Sequence, residues 1–280
     1  MISRHTHLSS HLEAEILAAA QELRVPGSGL RRILPVTTIE RLAGFSGTPR
    51  WKVEALALEL NVAPLHYLRN LAQFGADGQA RLLRASVSLV GRGAVLERAL
   101  DRLAVNGVGR LSVLVPLHRP DDAFEEGRTA ERLAAIPRNR NGSCEARAGT
   151  LWLKGGDPAA AVQGADAAAA CLDDSMDEQL LQFACRMAKT PLVLAGAQAG
   201  RGQATTVFPG DAGVSLVYRP THPHLEPKRA GARMDPKAAL MVGAWIAEQV
   251  TGVLLGRGDL LRGRLLYADL ETEEMSEHPL

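Results

Sequence analysis

Residues 82–115 read Leu-Leu-Arg-Ala-Ser-Val-Ser-Leu-Val-Gly-Arg-Gly-Ala-Val-Leu-Glu-Arg-Ala-Leu-Asp-Arg-Leu-Ala-Val-Asn-Gly-Val-Gly-Arg-Leu-Ser-Val-Leu-Val. Ser86 to Val90 is a short apolar run that stops on glycine, the pattern of a buried parallel strand. From Ala94 to Val105, Val95, Ala99, Leu100, Leu103 and Ala104 recur on one helical face. Asn106-Gly107 ends that helix, and Arg110 to Val115 is a second apolar strand. The unit is βαβ, with a glycine turn pointing at a helix N-terminus, where backbone N–H groups and the helix dipole favour a phosphate. Gly91 and Gly93 supply the turn of a G-x-G-x-x-G pattern, but the third glycine position is Leu96. The acid expected at the end of the second strand, to hold a ribose hydroxyl, falls at Val115. A structural βαβ unit and a working nucleotide site both fit these residues.

Outward from this stretch, the 280 residues suffice for one large α/β domain with a small addition. The formal net charge of +1 gives no electrostatic case for nucleic acid or an anionic membrane. Cys144, Cys171 and Cys185 show no C-x-x-C spacing, which argues against a disulfide scaffold and against cysteine-bound zinc. Met1 to Ser10 lacks the apolar core of a signal peptide. Ala238 to Leu255 is the most apolar run; Glu248 and Gln249 interrupt it, so it reads as a buried helix. These features lead to the expectation of a soluble, cytoplasmic protein with neither nucleic-acid nor membrane partners.

Residues 1–64 read as a helical prefix. Leu12, Ile16, Leu17 and Ala20 keep helical spacing, and Pro26-Gly27-Ser28-Gly29 breaks it. Two further helices, Thr38 to Gly44 and Trp51 to Leu60, flank Gly47-Thr48-Pro49. Their helix–turn–helix outline fits a DNA reader, but Glu54 and Glu59 on the second helix favour a packing module or docking surface. His222-Pro223-His224, in a proline-rich loop, is the one histidine pair to weigh as a metal site, and a solvated loop is the better reading.

Residues 64–83, Pro-Leu-His-Tyr-Leu-Arg-Asn-Leu-Ala-Gln-Phe-Gly-Ala-Asp-Gly-Gln-Ala-Arg-Leu-Leu, carry a resemblance. Tyr67-x-Arg69-Asn70, Gly75, Gly78-Gln79 and Leu82-Leu83, followed by the βαβ unit and Gly107-Val108-Gly109-Arg110-Leu111, resemble the ThiF/MoeB/HesA family, bacterial relatives of ubiquitin-activating enzymes. Asp166 to Asp174 resembles that family's strand ending in Asp-x-x-Asp-Asn. Lys189 to Val193 and Gly202 to Gly210 resemble its next two strands. Asp235-Pro236 opens the long helix as N-cap and first turn, and Leu260 to Asp269 resembles the closing strand. Coverage runs over about residues 64 to 272. Between Pro116 and Glu145 the family's Asn-x-x-Arg-Gln element and Gly-Lys turn are missing. A helix, Ala123 to Ile136, and a basic loop, Arg138-Asn139-Arg140-Asn141-Gly142, stand there before a third strand near Cys144 to Leu153.

The resemblance implies a Rossmann-like three-layer α/β domain over 65–280, with a mostly parallel sheet, antiparallel C-terminal strands, and the helical prefix in front. It also implies ATP- and Mg²⁺-dependent adenylation of the C-terminal Gly-Gly carboxylate of a small β-grasp sulfur-carrier or ubiquitin-like protein. On the matching positions, Arg69 would reach the phosphates of a neighbouring subunit, Gly91, Arg92, Gly93 and Asp174 would line the nucleotide, and Asp173 would hold Mg²⁺; no zinc is expected. The departures are Ala94 and Leu96 in the glycine turn, Val115 for the ribose acid, Ala170 for the first aspartate, Asp174 for the final asparagine, and the missing arginine and lysine. Losing positioned cations commonly costs orders of magnitude in phosphate-transfer rate. Arg92, Arg128 and Arg132 are the candidate substitutes. Asp173 and Asp174 could equally cap the next helix, Met176 to Lys189. The expected function is a degenerate subunit that binds a carrier or an active paralogue. The alternatives are an active adenylyltransferase and a nucleotide-free structural protein. A homodimer or heterodimer is expected, with the apolar helix 238–255 at the interface. Arg219, Lys228 and Arg229 on the loop Tyr218 to Lys228 would face an acidic carrier.

Overall fold

The computed structural model describes residues 2–26, 29–214 and 235–280. The prefix runs through α1 (Ile2–Ala19), β1 (Gln21–Val25), β2 (Gly29–Leu34), α2 (Val36–Ser46), α3 (Arg50–Glu59) and β3 (Ala63–Pro64). Then follow α4 (Leu68–Arg84), β4 (Ser86–Gly91), α5 (Ala94–Asn106), β5 (Arg110–Pro116), α6 (Ala123–Arg140), β6 (Glu145–Leu151), β7 (Ala167–Cys171), α7 (Ser175–Ala188), β8 (Leu192–Gln198), β9 (Arg201–Val207), α8 (Pro236–Leu255), β10 (Arg264–Asp269) and β11 (Glu274–Pro279).

The main sheet has the order β11-β10-β9-β8-β7-β4-β5-β6. Its β4 to β8 half is parallel, and β8 to β11 are joined antiparallel. The expected three-layer architecture is therefore present. Central β4 is buried on both of its faces. Val87 and Leu89 enter a core shared with α5, α6 and α8, while Val90 enters the core under α7. Asp235 caps α8 by accepting a hydrogen bond from the Lys237 amide at 2.7 Å, as read from the sequence.

Helix α8 is long and apolar enough to cross a membrane by length and composition. One face nevertheless packs inward: Ala239, Val242, Ile246, Ala247 and Val250 are buried in the main core. The buried face of this helix lies on α5 and the sheet, while Leu240 on its outer face is exposed. The approach to α5 is close at Gly243, where a Cβ would lie 2.5 Å from the Arg98 Cβ and 2.9 Å from the Val95 carbonyl oxygen. Leu96, at the missing third glycine position, is fully buried in the same core. Close packing around α5 thus depends on a glycine of α8 facing it, and the leucine fills space instead of blocking it.

The prefix is largely helical, but it also contains a small sheet that its periodicity did not announce. β1 and β2 pair antiparallel, and β2 pairs in parallel with β3. Four of the five β1 residues are exposed, so no apolar alternation marks the strand. Leu12, Ile16, Leu34, Ile39, Leu42, Val53 and Val62 form the prefix core. The break expected at residues 26–29 falls partly outside the described residues; α1 itself ends at Ala19.

Many family-like residues serve the seam between prefix and sheet. Gly107 takes a left-handed conformation (φ 84°) at the end of α5, and a Cβ there would lie 2.2 Å from Gln79 Nε2 and 2.9 Å from the Tyr67 ring. At Gly109 a Cβ would lie 1.8 Å from the Leu83 carbonyl oxygen. Gln79 donates to the Asn106 carbonyl, and Asn70 donates to that of Val105. Glu54, fully buried on α3, accepts from Ser143 Oγ at 2.6 Å and pairs with His66 at 3.2 Å. The glutamate that argued against DNA binding is therefore an internal tie. The expected basic loop at 138–142 is largely the last turn of α6. There Arg138 donates to the Ala146 carbonyl, Arg140 pairs with Asp101, and Asn141 donates to Tyr67 Oη at 2.7 Å.

Candidate functional site

Strand order reverses between β4 and β7: the chain runs outward through β5 and β6, then returns to the other side of β4. Loops leaving the carboxyl ends of β4 and β7 diverge there and leave a crevice, the usual ligand position in open α/β sheets. It is lined by Gly91, Arg92, Pro116, His118, Cys171, Leu172, Asp173, Asp174 and Asp177, with about 260 Å³ of empty volume.

The two glycines do different work. Gly91 has φ 140°, and a Cβ on it would lie 2.3 Å from the Cys171 carbonyl oxygen, so it lets β4 and β7 run close. Gly93 has φ 83° at the N-cap of α5 with open space around it, leaving the helix N-terminus approachable. Between them Arg92 turns its guanidinium to Glu126 on α6 and to His118 after β5. The arginine expected to meet a phosphate is thus at the crevice but committed to an acid. Arg128 and Arg132 do not reach the crevice. They pair at 3.8 Å with Glu125 and Glu97, and both are strongly exposed. Val115 is fully buried in the main core, so the ribose-acid position offers only apolar wall.

On the β7 side, Asp173 lines the crevice and Asp174 caps α7, accepting from the amides of Met176 at 2.9 Å and Asp177 at 3.1 Å. Asp174 also pairs with Lys154 at 2.7 Å, which holds its carboxyl below the usual carboxylate range. Lys154 comes from the crossover after β6, and nothing in its local sequence marks it as a site residue. Asp177 is 2% exposed, and one of its carboxylate oxygens has no partner among the described residues. Burial pushes its carboxyl upward, while Lys154 and His118 pull it down. Among the described residues no group of three or more His, Cys, Asp or Glu side chains could hold a metal ion.

Arg69 is exposed near the start of α4. The next residue, Asn70, contacts Val105 at the C-terminal end of α5, so Arg69 stands at the opposite end of that helix from the glycine turn. Cys185 is buried on α7, whereas Cys171, half-buried at the end of β7 against the main core, also lines the crevice. The loop from Tyr218 to Lys228, with Arg219, His222-Pro223-His224, Lys228 and Arg229, lies outside the described residues.

The ThiF family pattern matches residues 116–280. The chain belongs to the ThiF family. Its members are E1-like adenylyltransferases that activate ubiquitin-like or sulfur-carrier proteins, and they use ATP and Mg²⁺. This ThiF-family chain is 29% identical over 216 residues to the adenylyltransferase and sulfurtransferase MOCS3 of Drosophila ananassae, covering 71% of the chain and 47% of that protein. The chain thus spans about half the length of that relative. It is 28% identical over 234 residues to the SAMP-activating enzyme E1 of Haloferax volcanii, covering 76% of the chain and 84% of that enzyme. Among solved structures, E. coli MccB with MccA-N7isoASN superposes with a TM-score of 0.60 at 15% identity, over 88% of this chain and 79% of that one. PaaA superposes with a TM-score of 0.57 at 15% identity, over 76% and 72%. These two likenesses concern the fold.

Proposed function

We propose that this chain is a divergent ThiF-family subunit that holds the Gly-Gly-ended tail of a β-grasp sulfur-carrier or ubiquitin-like protein, with its own nucleotide site weakened. It would act in the cytoplasm as a homodimer or beside an active paralogue. The observation that carries the reading is the pairing inside the crevice: Arg92 is held by Glu126 and Lys154 by Asp174, while Val115 closes the ribose position. A phosphate would have to displace Glu126, whose side chain is 14% exposed, from Arg92 before gaining that charge.

The site fits ATP and Mg²⁺ in part. The open N-terminus of α5 at Gly93, together with Arg92, would receive phosphate, and Asp173 would take the cation. Bound ATP would supply the AMP group that activates a carrier's terminal carboxylate. The Val115 wall does not fit a ribose diol. A working adenylyltransferase is the reading favoured by Asp177, whose partnerless buried oxygen suits a ligand donor.

Calorimetry with ATP and Mg²⁺ separates the two. We expect a dissociation constant weaker than about 1 mM, whereas a micromolar value, near −8 kcal/mol, would establish the active reading. Pull-down of co-encoded β-grasp proteins, with Arg219→Glu and Lys228→Glu, tests the partner. Absence of binding, or binding untouched by both reversals, would leave the fold without the proposed role.

A further inference from the structure

We propose that the crevice receives a primary ammonium group, and that the buried carboxylate of Asp177 is its acceptor. The inference goes beyond the family reading and does not depend on whether the nucleotide site is weak or active.

The start of α7 fixes the acceptor. Asp177 lies in the first turn of that helix, where its amide donates to Asp174 Oδ1 at 3.1 Å and the positive end of the helix dipole favours an anion. The residue is buried and lines the crevice, and its Oδ1 atom has no hydrogen-bond donor among the described residues. Lys154 and His118 act on this carboxyl through space, and neither donates to Oδ1. Leaving a buried carboxylate oxygen without a donor costs free energy, and an N–H of a ligand would remove that cost.

Charge decides the sign of the ligand. Asp173, Asp174 and Asp177 line the crevice against Arg92 and His118. Arg92 is held by Glu126 and Asp174 is paired with Lys154, whereas Asp177 has an oxygen to offer. An acceptor-only group of this kind is completed by a donor, and best by a positively charged one. Geometry decides the kind of cation. Among the described residues no group of three or more His, Cys, Asp or Glu side chains could hold a metal ion, so a metal at Asp177 would lack a protein cage. A single open oxygen matches the compact charge of an ammonium, while a guanidinium is shaped for two oxygens at once. Pro116 and Leu172 give the crevice an apolar wall for the carbon chain behind the nitrogen.

The ammonium has two sources, a free alkylamine or the lysine side chain of a protein. Calorimetric titration of the full chain with butylammonium chloride and, separately, with Nα-acetyl-lysine methylamide distinguishes them, at about pH 7 where both amines are protonated. At least one should bind with a dissociation constant of about 1 mM or tighter. The uncharged analogue 1-butanol should bind the wild type about tenfold more weakly or worse, because a neutral hydrogen bond replaces a charge-assisted one. Asp177→Asn should weaken amine binding by about tenfold or more. Asp77→Asn removes an equal charge from an exposed position on α4 and should match the wild type. Circular dichroism and melting check that both variants fold, and the butanol comparison needs no variant. The proposal is overturned if both amines bind more weakly than about 10 mM, or if butanol binds the wild type as well as the amine does. It is also overturned if Asp177→Asn binds like the wild type, if Asp77→Asn loses as much, or if an equal concentration of magnesium chloride displaces the amine. Carrier binding without amine binding would reject this inference and keep the proposed function. Amine binding without carrier binding would do the reverse.

Discussion

Asp177 sits in the first turn of α7 with one oxygen unpartnered, and burial raises its carboxyl pKa. A raised value means that the folded chain binds more protons than the unfolded chain. Stability therefore falls as pH rises through the unfolded value, about 3.9, towards the folded one. Asp174 has the opposite sign: Lys154 lowers its pKa, so its contribution is present above the unfolded value and fades as pH falls. Asp177→Asn removes only the first effect. We expect it to raise the melting temperature at pH 7, by the equivalent of about 1 kcal/mol, and to lose that advantage at pH 3.5. Equal gains at both pH values would show that ionisation of Asp177 has no part in it. At this scale the sequence was partly legible. Asp173, Asp174, Gly91 and Arg92 do meet at one crevice, because all lie at or just beyond the carboxyl ends of the neighbouring parallel strands β4 and β7. Lys154, Glu126 and His118 were not legible as partners, since each comes from a loop or helix whose approach depends on tertiary packing.

At the scale of elements, the Gly107-Val108-Gly109 stretch reads as a motif and acts as a joint. Both glycines stand where α4 passes close to the start of β5, with the Leu83 carbonyl against Gly109. Gly109→Ala should cost at least about 3 kcal/mol in urea unfolding, because backbone rather than a flexible side chain must move. A loss below 1 kcal/mol would mean that the seam is looser than described. Strong apolar periodicity made β4, α5, β5 and α8 readable from sequence, while β1 was hidden by its exposed, charged faces. Edge strand β11 (Glu-Met-Ser-Glu-His-Pro) is likewise mostly exposed, and its register follows from pairing with β10. Neither strand carries the alternation that burial on one face would impose.

For the whole molecule, the position of Arg69 bears on assembly. It stands at the far end of α5 from the crevice of its own chain, so a phosphate contact from it requires a second copy or a paralogue. Sedimentation velocity at micromolar concentration should give a dimer, and Arg69→Ala should leave its mass unchanged. A clean monomer would restrict any such contact to a heterodimer.

The three thiols provide a chemical reporter for the crevice. Burial pushes Cys144 and Cys185 up to about 12, so at pH 8 neither offers appreciable thiolate. Cys171 is half-buried and lines the crevice, close to the turn that Gly91 makes. A small maleimide should therefore label the native chain once, at Cys171, as read by peptide mass mapping. Any occupant of the crevice should slow that labelling. Attachment at Cys144 or Cys185 without unfolding would contradict the packing around them. Ligands, carriers and paralogues can thus be screened by whether they shield a single sulfur atom, with no assumption about catalysis.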